Sequence, residues 1–236
     1  MERGKEDRRR TLTETREQKD RPGRDLIFFP IIFNVVAIII VGLLFAFSPE
    51  HLVEPEVLNI ALYSGVFVTE WSIAYVVIRR LGMRGVKKLI VPKSRFRWLP
   101  SIVLFFSLNV LFTTYMVLAL LFGRIQPWGK LDLFKSVFFL LLSPLTAGFV
   151  EELIWRGHFI EKLLSTGKTE WKAILSSSVS FAFIHGFLIP DKLLVTFLFG
   201  VIAGKYYVKE RNLPVLIASH IVLDVIAFWL PFSALR

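Results

Sequence analysis

Apolar residues in this chain arrive in long blocks, not as single faces of amphipathic elements. The blocks cover residues 26–48, 58–78, 99–122, 134–156, 171–189, 192–208 and 213–231, and most charges lie between them. Each block is close to the ~20 residues a helix needs to cross the hydrocarbon core of a bilayer. The pattern predicts an all-α fold, a polytopic transmembrane helix bundle of about seven spans. It divides the chain into a charged tail at 1–25, a set of membrane helices over 26–133 and a further set over 134–231. No internal repeat and no soluble domain interrupts this order.

Composition agrees with the pattern. Of 236 residues, 54% are apolar, above the roughly 45–50% of soluble domains. The formal net charge of +10 would suggest nucleic acid in a soluble protein, but in a membrane protein Lys and Arg collect in cytoplasmic loops. The expected partners therefore include the lipid bilayer and exclude nucleic acid. The segment 79–98 holds Arg79, Arg80, Arg84, Lys87 and Lys88, whereas the connection at 49–57 holds Glu50, Glu54 and Glu56 without a Lys or Arg. These charges predict a cytoplasmic N-terminus, a C-terminus outside and an integral location in the cell membrane. The tail mixes both charge signs before its first apolar residue, Leu26, so it reads as a solvated, partly disordered segment and not as a cleaved signal. The chain has no cysteine, which excludes disulfides, thiol catalysis and thiolate metal sites.

An ionised side chain at the centre of a bilayer costs about 2.5–3.5 kcal/mol on insertion scales, so the few inside the blocks mark candidate chemistry. They are Glu70, Glu151, Glu152, Arg156, His185, His220 and Asp224, and all but Glu70 fall in the last four blocks. Glu152 and Arg156 stand four apart, share a helix face and can pair. Glu151 is rotated by about 100° from Glu152 and is left as a free carboxyl suited to general-base work. His185 lies deep in a block rich in Ser and Phe. His220 and Asp224 are again four apart on one face, an arrangement that orients an imidazole or stabilises developing charge. A helix end at the interface, a core histidine and a packing hydrogen bond are the bland readings of the same three patterns. If the chain turns near Gly167–Lys168, Glu151 lies as many residues before the turn as His185 lies after it. Both then sit at one depth, roughly 25 Å from the turn. By the same arithmetic His220 lies only about 12–18 Å from a turn near Asn212, so a tilt or break must bring it level. Gly200 and Gly204 form a small-xxx-small pair, and Ser176, Ser177, Ser178 and Ser180 offer hydroxyls to a neighbouring helix.

The run Glu151-Glu152 to Arg156-Gly157, then Phe181 to His185, then His220 to Asp224, in this order on successive membrane helices, resembles the CPBP family. This is the family of CAAX proteases and bacteriocin-processing enzymes, also called the Abi domain family. Trp155, the serines before Phe181, and Gly200 and Gly204 fit the same resemblance, which covers roughly residues 134–231. It implies a membrane endopeptidase, a CAAX prenyl protease or relative, acting on a membrane-associated or lipidated, CAAX-type peptide. Under it Glu151 with His185 activates water, His220 and Asp224 stabilise the oxyanion, and Glu152 with Arg156 forms a supporting ion pair. Asp224 departs from the Asn of many members. The family is often labelled metalloendopeptidase, and Glu151, His185 and His220 are the candidate ligands for a divalent metal such as zinc. A metal-free glutamate mechanism uses the same residues and is the preferred expectation. A non-enzymatic immunity, scaffold or peptide-binding protein of the same family is the alternative; a transporter is disfavoured by the lack of repeats.

Overall fold

The computed structural model describes residues 3–47, 55–92, 95–125, 128, 130–185 and 189–233. The acidic connection around Glu50 and Glu54 lies outside the described residues. Seven helices carry the fold: α1 (Arg3–Phe47), α2 (Pro55–Ile90), α3 (Trp98–Leu121), α4 (Leu133–Ser165), α5 (Glu170–Ile184), α6 (Pro190–Glu210) and α7 (Leu213–Ser233). There is no strand among the described residues.

Five of the seven helices contain segments long and apolar enough to cross a membrane: Arg24–Phe47, Val57–Ile90, Trp98–Leu121, Leu133–Ser165 and Leu213–Ser233. The count of seven spans is not confirmed, and the difference lies in α5 and α6. The apolar run read as a span over 171–189 ends as a helix at Ile184 after 15 residues, about 22 Å at 1.5 Å per residue, too short for the ~30 Å hydrocarbon core. The block at 192–208 is part of a 21-residue helix that carries Asp191, Lys192, Lys205, Lys209 and Glu210. The pair forms a hairpin inside the bundle. Two other boundaries move. Helix α1 begins at Arg3, within the segment expected to be a partly disordered tail. Helix α2 runs on through the basic connection after a break at Gly82, whose φ of 65° is open to glycine without strain. Val86 and Leu89 are thereby buried while Lys87 and Lys88 stay exposed.

The turns are set by local chemistry. After α4, Gly167 takes φ 80°, Lys168 N–H donates to the Leu163 carbonyl and Gly167 N–H to that of Leu164. This is the paired C-terminal closure that a left-handed glycine permits. Thr169 then accepts from Lys172 N–H and starts α5. The expected turn at Gly167–Lys168 is thus present. At the far end of α6, Arg211 itself adopts φ 51° and its guanidinium bonds Glu161 on α4. Tyr207 donates to the same carboxylate at 2.9 Å. These contacts tie the start of α7 to α4, and Asn212 caps it by accepting from Val215 N–H.

The core lies where α4 passes between its neighbours. Val150, Leu153, Ile154, Trp155, Phe159 and Ile160 are fully buried on α4, against Phe181 of α5 and Phe199 of α6. The α5 serines act in packing. Ser177 donates to the Trp155 carbonyl at 2.6 Å, Ser180 to the Leu26 carbonyl at 2.7 Å, and Ser178 back to Ile174. Gly200 and Gly204 pack within the bundle. A Cβ on Gly200 would stand 2.8 Å from Ser178 Cβ and 2.9 Å from its Cα, and one on Gly204 3.1 Å from Ile174. Since backbone cannot yield as a side chain does, Gly200→Val is expected to destabilise the protein by about 1–3 kcal/mol. Thermal unfolding in detergent measures this, and a variant as stable as wild type would contradict the close α5–α6 approach.

Candidate active site

Helix α4 is not α-helical throughout. Phe138–Leu142 and Glu152–Ile160 are π-helical, with i→i+5 bonds that widen the turn, a departure that recurs at functional sites. The second stretch begins immediately after Glu151. It keeps Glu152 and Arg156 together, with Nη1 3.1 Å from Oε1, and both residues are essentially inaccessible. The guanidinium also lies over the rings of Phe181, at 4.2 Å, and Phe199, at 5.2 Å. Such stacking suits the planar, weakly hydrated Arg cation in a desolvated setting.

His185 caps α5. Its Nδ1 lies 3.0 Å from the Phe181 carbonyl. A carbonyl only accepts, so Nδ1 carries the proton, and in the neutral ring Nε2 is bare. That Nε2 stands 4.0 Å from Glu151 Oε2. The hairpin arithmetic from the turn at Gly167 thus brings the carboxyl and the imidazole face to face.

His220 reaches the same carboxyl from α7, with Nε2 3.7 Å from Glu151 Oε2. Its Nδ1 donates to Glu152 Oε1 at 2.8 Å, and Asp224 Oδ2 lies 3.7 Å from Nε2. The depth mismatch expected for His220 disappears because the two turns are not level. Gly157 on α4 sits against Leu213, the first residue of α7: a Cβ there would be 3.4 Å from Leu213 Cδ2. Glu151 and His220 are then each about 10 Å along their helices from that shared level. The helices also touch closely above it. A Cβ on Gly148 would meet Ile221 Cγ1 at 2.6 Å and the Ile217 carbonyl at 3.2 Å, so a glycine there lets α7 press its imidazole onto Glu151. Sequence spacing shows neither contact.

Glu152 therefore serves two partners, Arg156 and His220, where the sequence assigned it one. A neutral His220 that gives its one N–H to Glu152 has no proton to offer from Nε2. Glu151 Oε2, the oxygen turned to both imidazoles, receives no amide, hydroxyl or ring donor among the described residues. Glu70 on α2 is buried and lines the same cavity as Glu151. Its only sequence signal was a charge inside an otherwise apolar block.

These groups line a cavity of about 810 Å³. Its wall includes Tyr63 and Phe67 of α2, Trp128, Phe228 of α7 and Lys192 of α6. Tyr63, Trp128 and Phe228 form one aromatic cluster, with centroids 5.1 to 6.0 Å apart. The cavity draws on the N-terminal part of α2 and the C-terminal part of α7, so it extends from the site away from the basic end of α2. Among the described residues no group of three or more His, Asp or Glu side chains is arranged to hold a metal ion. Glu151, His185 and His220 converge, with the carboxylate oxygen 4.0 and 3.7 Å from the two Nε2 atoms.

Residues 133–226 match the family described as type II CAAX prenyl endopeptidase Rce1-like. No curated protein matches the chain, and no solved structure does. Glu151, Glu152, Arg156, His185, His220 and Asp224 all lie inside the matched segment, whereas Glu70 lies outside it. The segment 133–226 is thus similar to Rce1-like CAAX endopeptidases, a likeness that supports reading the chain as a CPBP-family intramembrane protease.

Proposed function

We propose that this protein hydrolyses a peptide bond in a membrane-associated substrate of the prenylated CAAX type, with Glu151 as the general base. The observation that carries the reading is one carboxylate oxygen within 4.0 Å of two imidazole nitrogens on the wall of a large apolar cavity. Glu151 Oε2 and the bare Nε2 of His185 are both acceptors. A water donating one proton to each is held with its lone pair free to attack a carbonyl carbon. Attack moves a proton to Glu151 and negative charge to the carbonyl oxygen. Collapse of the tetrahedral species breaks the C–N bond, and Glu151 returns the proton to the departing amine.

His220 is the donor nearest to where that charge develops. It acts as the imidazolium, donating from Nδ1 to Glu152 and from Nε2 to the oxyanion. Asp224 accepts no share of that charge and acts by orienting and compensating the imidazolium; this replaces a direct oxyanion contact from an Asn at this position. Glu152, neutralised by Arg156, fixes the His220 ring as the outer carboxylate of a His pair does. The aromatic cavity wall suits an isoprenoid chain, while the charged end receives the peptide. No metal enters these steps.

The experiment is hydrolysis of a farnesylated CAAX-type peptide by the purified protein in lipid vesicles. Release of a C-terminal fragment, unchanged by a strong chelator, is the expected result. Release that stops with the chelator and returns with zinc would replace the glutamate mechanism with a metal-dependent one.

A further inference from the structure

The end of α2 beyond the Gly82 break has no part in the mechanism above. From Val57 to Gly82 the helix already covers about 39 Å, enough for the ~30 Å hydrocarbon core. Gly82 then takes φ 65° and ψ 162°, a region essentially reserved for glycine, and residues 83–90 leave it as a short arm. The arm joins two segments long and apolar enough to cross a membrane, so it stands where they emerge, at the level of the lipid headgroups. One side of it is held to the bundle. Val86 and Leu89 are buried, and a Cβ on Gly157 of α4 would stand 3.3 Å from Leu89 Cδ1. The other side carries Arg84, Lys87 and Lys88, all exposed, at spacings of three and four that share a helix face. Exposed Arg95 follows. Arg97 is paired with Glu210 at 3.1 Å, but Arg84, Lys87, Lys88 and Arg95 have no acidic partner among the described residues. The sequence offers none nearby, with no Asp or Glu between Glu70 and Asp132.

We propose that this arm is a binding surface for the headgroups of anionic phospholipids. Phosphate diesters are the anions present at that depth, and each cation near the surface of a charged bilayer adds to the hold on them. The apolar neighbours fit a lipid better than an acidic protein. Met83, Trp98 and Leu99 are 74%, 73% and 72% exposed beside the cations, and the Phe96 ring meets Trp98 edge-on at 4.7 Å. Bare aromatic and aliphatic side chains among unpaired cations suit the boundary between headgroups and acyl chains, where Trp concentrates. The cations then face the phosphates while the apolar groups enter the boundary beneath them. This surface lies outside the cavity and does not depend on the hydrolytic reading.

Native mass spectrometry of the full chain in neutral detergent, supplied with equal amounts of phosphatidylglycerol and phosphatidylcholine, tests it. Wild type should retain phosphatidylglycerol in preference. The triple change Arg84→Gln, Lys87→Gln and Lys88→Gln should lower that preference by roughly tenfold, since Val86 and Leu89 still hold the arm in place. Lys168→Gln, Lys172→Gln and Lys209→Gln together remove the same charge from other exposed positions and should leave the preference intact. An equal loss in this second variant would show attraction by net charge alone and overturn the proposal. Equal retention of the two lipids by wild type would overturn it too. Inorganic phosphate in excess, at matched ionic strength, should leave the lipid bound; displacement would mark a site for a free anion and count against a headgroup surface. The wild-type protein decides the matter even if the first variant does not fold. Its preference should fall as ionic strength rises, and a preference indifferent to salt would contradict a cationic surface.

Discussion

Glu151→Gln is expected to lower hydrolysis of a prenylated peptide by about 10²–10⁴-fold, the range a positioned general base contributes. The substitution keeps the shape of the side chain, so the helix packing around Val150 and Leu153 should be undisturbed. What is lost is the carboxylate oxygen turned to both imidazoles. His185 cannot replace it. Its Nδ1 is committed to the Phe181 carbonyl, and its Nε2 alone gives the water one anchor where the wild-type site gives two. Substrate binding should persist, because the aromatic wall is untouched, and the defect should therefore appear in kcat. A steady-state assay at matched folded protein checks this. A variant within a few-fold of wild type would remove Glu151 from the mechanism.

Arg156→Leu is expected to cost about 3–5 kcal/mol of stability, the usual result of breaking a buried ion pair from one side. Glu152 would remain fully buried with only His220 to meet its charge. The rings of Phe181 and Phe199 would lose the guanidinium stacked over them. Arg156→Lys should recover part of the loss, since an ammonium restores charge but not the planar stack. Glu152→Gln combined with Arg156→Leu should be less unstable than the sum of the two single changes, the mark of a direct coupling. Equilibrium unfolding in detergent measures these four variants beside wild type. An Arg156→Leu protein as stable as wild type would show that Glu152 is held by other means.

The pairing of Glu151 with His185 was legible in the sequence because both distances run from one turn, and Gly167 makes that turn recognisable. The approach of His220 was not legible. Its depth depends on where α7 starts relative to α4, and Arg211, Glu161 and the contact of Gly157 with Leu213 fix this across the bundle. A 3.6-residue periodicity also hides the π-helical turns of α4, so the double role of Glu152 went unseen. The span count of seven is not confirmed for a related reason. Hydropathy reads Phe181 to Ile189 as continuing apolar helix, but α5 ends at His185, and α6 starts afresh at Pro190 with the charged pair Asp191 and Lys192 behind it. Glu70 was visible as a charge in an apolar block, yet the cavity wall it shares with Glu151, eighty-one positions later on another helix, lies beyond any local pattern.

The most direct test of the account compares new peptide termini by mass spectrometry in membranes carrying wild type or Glu151→Gln at equal folded levels, supplied with a prenylated CAAX-type protein. The account predicts a set of termini, including a cut beside the prenylated residue, found with wild type alone. Identical termini in the two membranes, with the supplied protein uncut, would contradict it.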